Sequence, residues 1–192
     1  PDVLDLLANP AVCHRFGLDE QDLDRVKDWV MAAGIRWGID GQYRAGLGLP
    51  DVSEHTWTFG LDRMLLGHAL SSTPGKRMFG GILPWGRFEA ENALVLGKVA
   101  SFAGTLFARC QALKTRKTVP EWIAELDGIL DEFFLADNDI TANDILEIRR
   151  LVLDEGLSDI LETTGYEKPV SLDVMRDYLE TRLTGAARVT GF

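Results

Sequence analysis

Apolar positions recur along most of this chain every three to four residues, the period of one face of an α-helix. Val26, Trp29 and Val30 form such a stripe behind Asp19, a residue suited to cap a helix, and Gly34 ends it. A stretch at 38–53, broken by Gly38, Gly41, Gly46, Gly48 and Pro50, predicts a loop. Trp57, Leu61, Leu65 and Leu66 then predict a helix over 57–70, and 71–87 is again irregular. The longest predicted helix covers 88–114, with Ala93, Leu96, Val99, Ala103, Leu106, Cys110 and Leu113 on one face and Phe102 and Phe107 widening it.

Thr118 and Glu121 have the spacing of a capping box, with Pro120 tolerated in the first turn and Trp122, Leu126, Ile129, Leu130 and Phe133 pointing inward. Thr141 and Asp144 repeat that pattern before Ile145, Ile148, Leu151 and Val152, and Ser171 opens a last helix through Met175, Leu179 and Leu183. The tail at 187–192 has β-branched character and reads as the first residues of a strand. The pattern predicts an all-α fold: a single helical domain over 1–192, divisible into sub-lobes 1–70 and 88–183 joined by 71–87. The start at Pro1-Asp2-Val3, without initiator Met or leader, and the abrupt tail both read as cuts from a longer protein.

Thirty acidic against twenty basic residues give a net charge of −10, which argues against whole-surface binding to nucleic acid. The sum conceals an asymmetry. Acids and bases number seven and three over 1–32, six and eleven over 33–118, and seventeen and six over 119–192. A basic centre between acidic flanks is either a face for an anionic ligand or a set of separate solvated helix surfaces. Charged residues interrupt every apolar run before the ~18 to 20 residues of a membrane span, so no membrane contact and a cytoplasmic location are expected. Cys13 and Cys110 stand far apart outside any metal-ligand spacing and are expected as reduced, mostly buried thiols.

No catalytic constellation is legible, and no cofactor or metal is expected. His14, His55 and His68 fall in unrelated places. Gly46-Leu47-Gly48 lacks both the third glycine and the preceding strand of a dinucleotide fingerprint, and no phosphate-binding P-loop occurs. The segment from Asp137 begins like a calcium loop but has Ala142 at the turn and Ile148 where a bidentate Glu belongs. Adjacent acids such as Asp131 and Glu132, or Asp154 and Glu155, suit a solvated surface. Two basic clusters remain. Lys76, Arg77 and Arg87 beside Phe79 and Trp85 have the cations and aromatics that a DNA strand needs. Arg109, Lys114, Arg116 and Lys117 form the second, which a helix C-terminus also explains through its dipole. The candidate DNA contacts are therefore Lys76, Arg77, Trp85, Arg87, Lys114, Arg116 and Lys117.

The strings Val3-Leu4-Asp5-Leu6-Leu7, Arg15-Phe16-Gly17-Leu18, Ile35-Arg36-Trp37-Gly38-Ile39-Asp40 and His55-Thr56-Trp57-Thr58-Phe59-Gly60-Leu61-Asp62-Arg63-Met64-Leu65-Leu66-Gly67 closely resemble the central region of the RecC family. The resemblance is strong over about 2–70, and looser beyond, where Glu121-Trp122 and Phe133-Phe134-Leu135 still match. Two positions depart from it: the family usually has a basic residue where Thr58 stands and Tyr where His68 stands. The residues of the signature, Trp37, Gly38, Trp57, Phe59, Gly60, Leu61, Arg63, Leu65 and Leu66, read as packing, with Arg36 or Arg63 able to pair with Asp40 or Asp62. The resemblance implies the gamma subunit of exonuclease V, an ATP-dependent helicase-nuclease that processes double-strand DNA ends in recombinational repair. It further implies a helical insertion of the 2B type within a superfamily-1 helicase-like subunit that has lost its ATPase motifs. RecB-like and RecD-like subunits, and DNA through the assembly, are the implied partners. A pure protein-protein interaction module without DNA contact is the alternative.

Overall fold

The computed structural model describes residues 3–70, 78–85, 92–136 and 138–189, without the side chains of 139, 140 and 185–189. The helices are α1 (Val3–Leu7), α2 (Pro10–Arg15), α3 (Glu20–Ala32), α4 (Gly41–Gly46), α5 (Trp57–Ala69), α6 (Asn92–Ala112), α7 (Val119–Phe133), α8 (Asp139–Ile148), α9 (Asp159–Thr164) and α10 (Leu172–Val189). A π-helical segment, Arg149–Ser158, continues α8 into α9. Among the described residues no strand forms beyond isolated bridges at Phe79–Ile82 and Lys117–Val170, so the fold is all-α. Two compact units divide the chain: Pro1–Asn9 with Phe16–Phe107, and Pro10–Arg15 with Ala108–Phe192.

In the first unit the local signals act as read. Asp19 caps α3 by accepting from the Asp22 N–H at 2.8 Å, and Asp22 reciprocates. Gly34, at φ +77°, ends α3, and the chain turns so that the Ile35 N–H reaches the Val30 carbonyl. The core gathers Leu7, Leu18, Val26, Ile35, Trp57, Leu61, Met64, Leu96, Val99 and Phe102. Phe16 meets Phe102 edge-on at 5.1 Å between ring centroids. Gly60 is required by close approach, since a Cβ there would run into the Ile35 side chain.

The predicted loop at 38–53 contains an unforeseen short helix, α4, capped by Asp40 on the Tyr43 N–H at 2.6 Å. Its organiser is Arg44, buried although charged. The guanidinium donates to the carbonyls of Val52 (2.8 Å), Glu54 (2.9 Å) and Trp37 (2.9 Å), and lies 4.7 Å from the Trp37 ring centroid. Trp37, expected in the core, is 45% exposed because its ring serves as a lid on this cation. Leu65 is likewise exposed: α5 buries Trp57, Gly60, Leu61, Met64 and Gly67, a face that passes between Leu65 and its neighbours. Among the described residues Arg63 binds no carboxylate; it donates to the carbonyls of Ala33 (2.7 Å) and Leu83 (3.1 Å), joining the end of α3 to the 78–85 segment.

By length and composition α6 could cross a membrane, against the expectation that no segment could. Within the first unit it is a core helix, burying Val95, Leu96, Val99, Phe102 and Ala103. The expected first turn at 88–91 lies outside the described residues.

In the second unit α7, α8, α9 and α10 pack against the π segment and α2 against α7, and the core gathers Val119, Trp122, Val152, Leu153, Leu157 and Met175. The capping box forms as expected, with the Glu121 carboxylate accepting from the Thr118 N–H at 2.7 Å and its hydroxyl at 2.9 Å. The next cap falls three residues before the expected one: Asn138, not Thr141, accepts from the Thr141 N–H at 2.9 Å. Ile148, expected inward, is exposed. The widened π segment leaves carbonyls that α10 answers, the Tyr178 hydroxyl donating to Val152 at 3.4 Å and Arg182 donating to Glu155. Gly156 fits here because a Cβ would meet the Tyr178 hydroxyl. The tail does not begin a strand: α10 continues as helix to Val189, and 190–192 lie outside the described residues.

Replacing Arg44 by Met should lower stability by about 2–4 kcal/mol, because carbonyls left buried without donors add to the lost bonds. Arg44→Lys should recover little of this, since one ammonium cannot reproduce the fork. Urea denaturation of the three proteins measures both.

Candidate functional site

Of the first basic cluster, Lys76, Arg77 and Arg87 lie outside the described residues. Phe79 is exposed on a tight turn, while Trp85 is half-buried with its backbone N–H on the Arg63 carbonyl at 2.9 Å.

Two of the four cations in the second cluster, Arg109 and Lys117, are turned inward. Arg109 donates to Glu132 through two nitrogens (2.7 and 2.5 Å) and to Glu125 at 2.9 Å. Bonds to Glu132 and then Glu125 raise the Arg109 pKa, and the same guanidinium holds the Glu132 carboxyl below its ordinary range. Lys117 donates to the Ala112 carbonyl at the end of α6, lies 3.7 Å from Glu125, and sits 5.0 Å from the Trp122 ring centroid. Arg116 donates to the Pro169 carbonyl at 2.9 Å. Lys114 and Arg116 are exposed. Of Arg109, Arg116 and Lys117, only Lys117 bonds a helix-end carbonyl, while Arg109 is held by carboxylates and Arg116 by a loop carbonyl.

The acidic pairs also have partners. Asp131 pairs with Arg149 at 2.5 Å, Arg149 also binds Asp127, and Arg150 binds Glu147 at 2.6 Å and also Glu155. Bonding to Arg150 keeps the Glu147 carboxyl low. Among the described residues no group of three metal-ligating side chains assembles. Burial pushes the Cys110 thiol up, which keeps it protonated and weakly nucleophilic. His55 holds the Gly34 carbonyl with Nδ1 at 2.7 Å, and the buried His68 Nδ1 has no hydrogen-bond partner among the described residues.

The family-like signature produces one feature that sequence reasoning missed. A pocket of about 280 Å³ in the first unit is lined by Asp40, Ser53, Thr56, Thr58, Phe59, Asp62, Gly80, Gly81 and Ile82. Thr56 is fully buried, donating to the Ser53 carbonyl at 2.6 Å and accepting from the Phe59 N–H at 3.3 Å, which fixes the start of α5. Asp40 is held by its cap on α4. Asp62 makes no ion pair or hydrogen bond among the described residues, and burial raises its carboxyl pKa. Thr58, one turn before Asp62, stands where the resemblance expects a basic residue, so this wall lacks that cation. The available signal was two acids, Asp40 and Asp62, flanking an Arg63 that the carbonyls of Ala33 and Leu83 claim.

Arg109→Ala should cost about 1–3 kcal/mol by leaving the Glu132 carboxylate without its partner and Glu125 with Lys117 alone, at 3.7 Å. The Glu132 carboxyl ordinarily titrates at 4.5 and is lower in the fold. Its contribution is complete above that value and disappears as pH falls through the lower folded value. Stability measured between pH 7 and pH 3 should therefore fall less steeply on the acid side in Arg109→Ala. Asp62 has the opposite sign: its raised pKa favours the folded state at low pH and is lost as pH rises through the folded value. Asp62→Asn should raise the Tm of this chain at pH 7, an advantage that shrinks toward pH 3.

The family described as RecBCD enzyme subunit RecC fourth domain matches residues 1–187. The chain is 35% identical over 184 residues to the RecBCD enzyme subunit RecC of Escherichia coli strain K12, covering 95% of this chain and 16% of that protein. It is 33% identical over 138 residues to the same subunit of Mycolicibacterium smegmatis, covering 72% of this chain and 12% of that one. RecC of Mycobacterium tuberculosis strain H37Rv is 32% identical over 129 residues, 67% of this chain. The chain thus spans about one sixth of the Escherichia coli relative or less of the others. A match that runs through the Trp37 loop, the Asp40 and Asp62 pocket and the helices of both units places this chain in the RecC family, as its fourth domain.

Proposed function

We propose that this chain is a non-catalytic helical scaffold of a RecC subunit within the cytoplasmic ATP-dependent helicase-nuclease, exonuclease V, that acts on double-strand DNA ends in recombinational repair. The family match over residues 1–187 carries this reading. RecB-like and RecD-like subunits are its partners in the assembly, and its all-α architecture suits a 2B-type insertion. It supplies shape and rigidity. The internal bonds of Arg44, Arg63, Arg109 and Lys117 support that role, since cations in an acidic chain are committed to holding its own backbone and carboxylates.

DNA guidance would rest on Lys76, Arg77 and Arg87 near Trp85. With Arg109 and Lys117 bound internally, the second cluster offers less, which favours the alternative of a protein-protein module that never meets DNA. Reversing charge at Lys76, Arg77 and Arg87 in the assembled complex distinguishes the two. Guidance predicts weaker binding to DNA ends and a log K against log salt slope shallower by about 1 for each phosphate that is no longer neutralised. Unchanged affinity and slope would leave the interaction module.

A further inference from the structure

The Asp40 and Asp62 pocket carries a second binding reading. At about 280 Å³ it is smaller than most small-molecule sites and of a size for one inserted side chain. Its lining includes two acids, Asp40 and Asp62, and the hydroxyl residues Ser53 and Thr58, beside a larger apolar share to which Phe59 and Ile82 contribute. No described cation answers Asp62: Arg63 is bound to the carbonyls of Ala33 and Leu83, and Arg44 to those of Trp37, Val52 and Glu54. Beside the pocket residues Ser53 and Gly80 stand exposed apolar side chains, Val52 at 43%, Met78 at 64% and Phe79 at 39%. A carboxylate-walled cavity with apolar neighbours is complementary to a basic side chain flanked by apolar ones, and it repels phosphate.

We propose that this pocket is a docking socket for an arginine or lysine of a segment of the same RecC polypeptide, outside these 192 residues, with the segment's apolar neighbours covering Val52, Met78 and Phe79. Arginine fits best, because its planar fork can hold one carboxylate with two bonds and still donate to a hydroxyl. The size of the surface argues for an occupant on the same chain. A free partner needs roughly 800 Å² on each side for a stable interface. One socket and three flanking side chains make a weaker contact, which a tethered segment can fill because its effective concentration reaches about the millimolar range. The relatives carry this domain as 16% or 12% of a single chain, so each copy is tethered to a much larger protein surface. The inference rests on RecC membership and not on DNA contact, so either can fail without the other.

The test places a photo-crosslinking benzoylphenylalanine at Phe79 in the complete RecC polypeptide, without other subunits or DNA, and maps the products by mass spectrometry. The expected product is an intrachain crosslink to a segment, outside these 192 residues, that contains Arg or Lys. Its yield should fall at least several-fold with Asp62→Asn, and with Thr58→Arg, which fills the socket from its own helix, while Tm is not lowered. The crosslinker at Met78 should give the same segment, and replaces Phe79 should that variant not fold. No crosslink, a crosslink confined to these 192 residues, a segment without a basic residue, a yield indifferent to Asp62→Asn, or a crosslink that appears only when other subunits or DNA are added would overturn the proposal.

Discussion

A fold made of short helices and irregular turns exposes main-chain carbonyls at every helix end, and each buried one needs a donor. In this chain the donors are cationic side chains. Arg44 closes the 37–54 loop, Arg63 joins α3 to the 78–85 segment, Lys98 reaches Gly17, Lys117 ends α6, Arg116 holds Pro169, and Arg182 reaches the π segment. Removal of any one would take a donor from its carbonyl, although that of Ala112 would keep the Thr115 N–H at 3.3 Å. The hydrophobic clusters on either side of Phe107 fill the space that these bonds define.

The same constraint reframes the charge pattern. The middle of the chain has a net positive count, yet five of its eleven bases, Arg44, Arg63, Lys98, Arg116 and Lys117, donate to the chain's own carbonyls, and Arg109 binds Glu125 and Glu132. Their charge remains, but their geometry is set by the fold. A basic count therefore overstates how many groups are free to follow a phosphate backbone. The acids of α8 to α10, such as Asp144, Glu147, Asp159, Glu162 and Asp173, are exposed.

What could be read from the sequence was local. Asp19 and the Thr118 and Glu121 pair act within one turn, so their caps formed where expected, and the wide apolar face of α6 needed only its period. What could not be read depends on contacts distant in sequence. Arg44 lies among glycines that signal a loop, and nothing nearby reveals the carbonyls eight and ten residues away that bury it. Trp37 and Leu65 were read as core by residue type, but one covers a cation and the other falls off the buried face of α5. The pocket was hidden for the same reason, because Asp40 and Asp62 meet only after the intervening loop folds back.

The π segment has a consequence for chain length. Each of its hydrogen-bonded turns contains one residue more than an α-turn, and Tyr178 and Arg182 bond its carbonyls while Tyr178 also packs on the cluster that holds Val152, Leu153 and Leu157. Loss of one exposed residue between 149 and 158 could be absorbed by tightening to an ordinary helix, without rotating α9 out of place. Such tightening would have to re-seat Val152, Leu153 and Leu157, which the π segment contributes to the core of the second unit, so the slack in the chain is taken up at the cost of repacking.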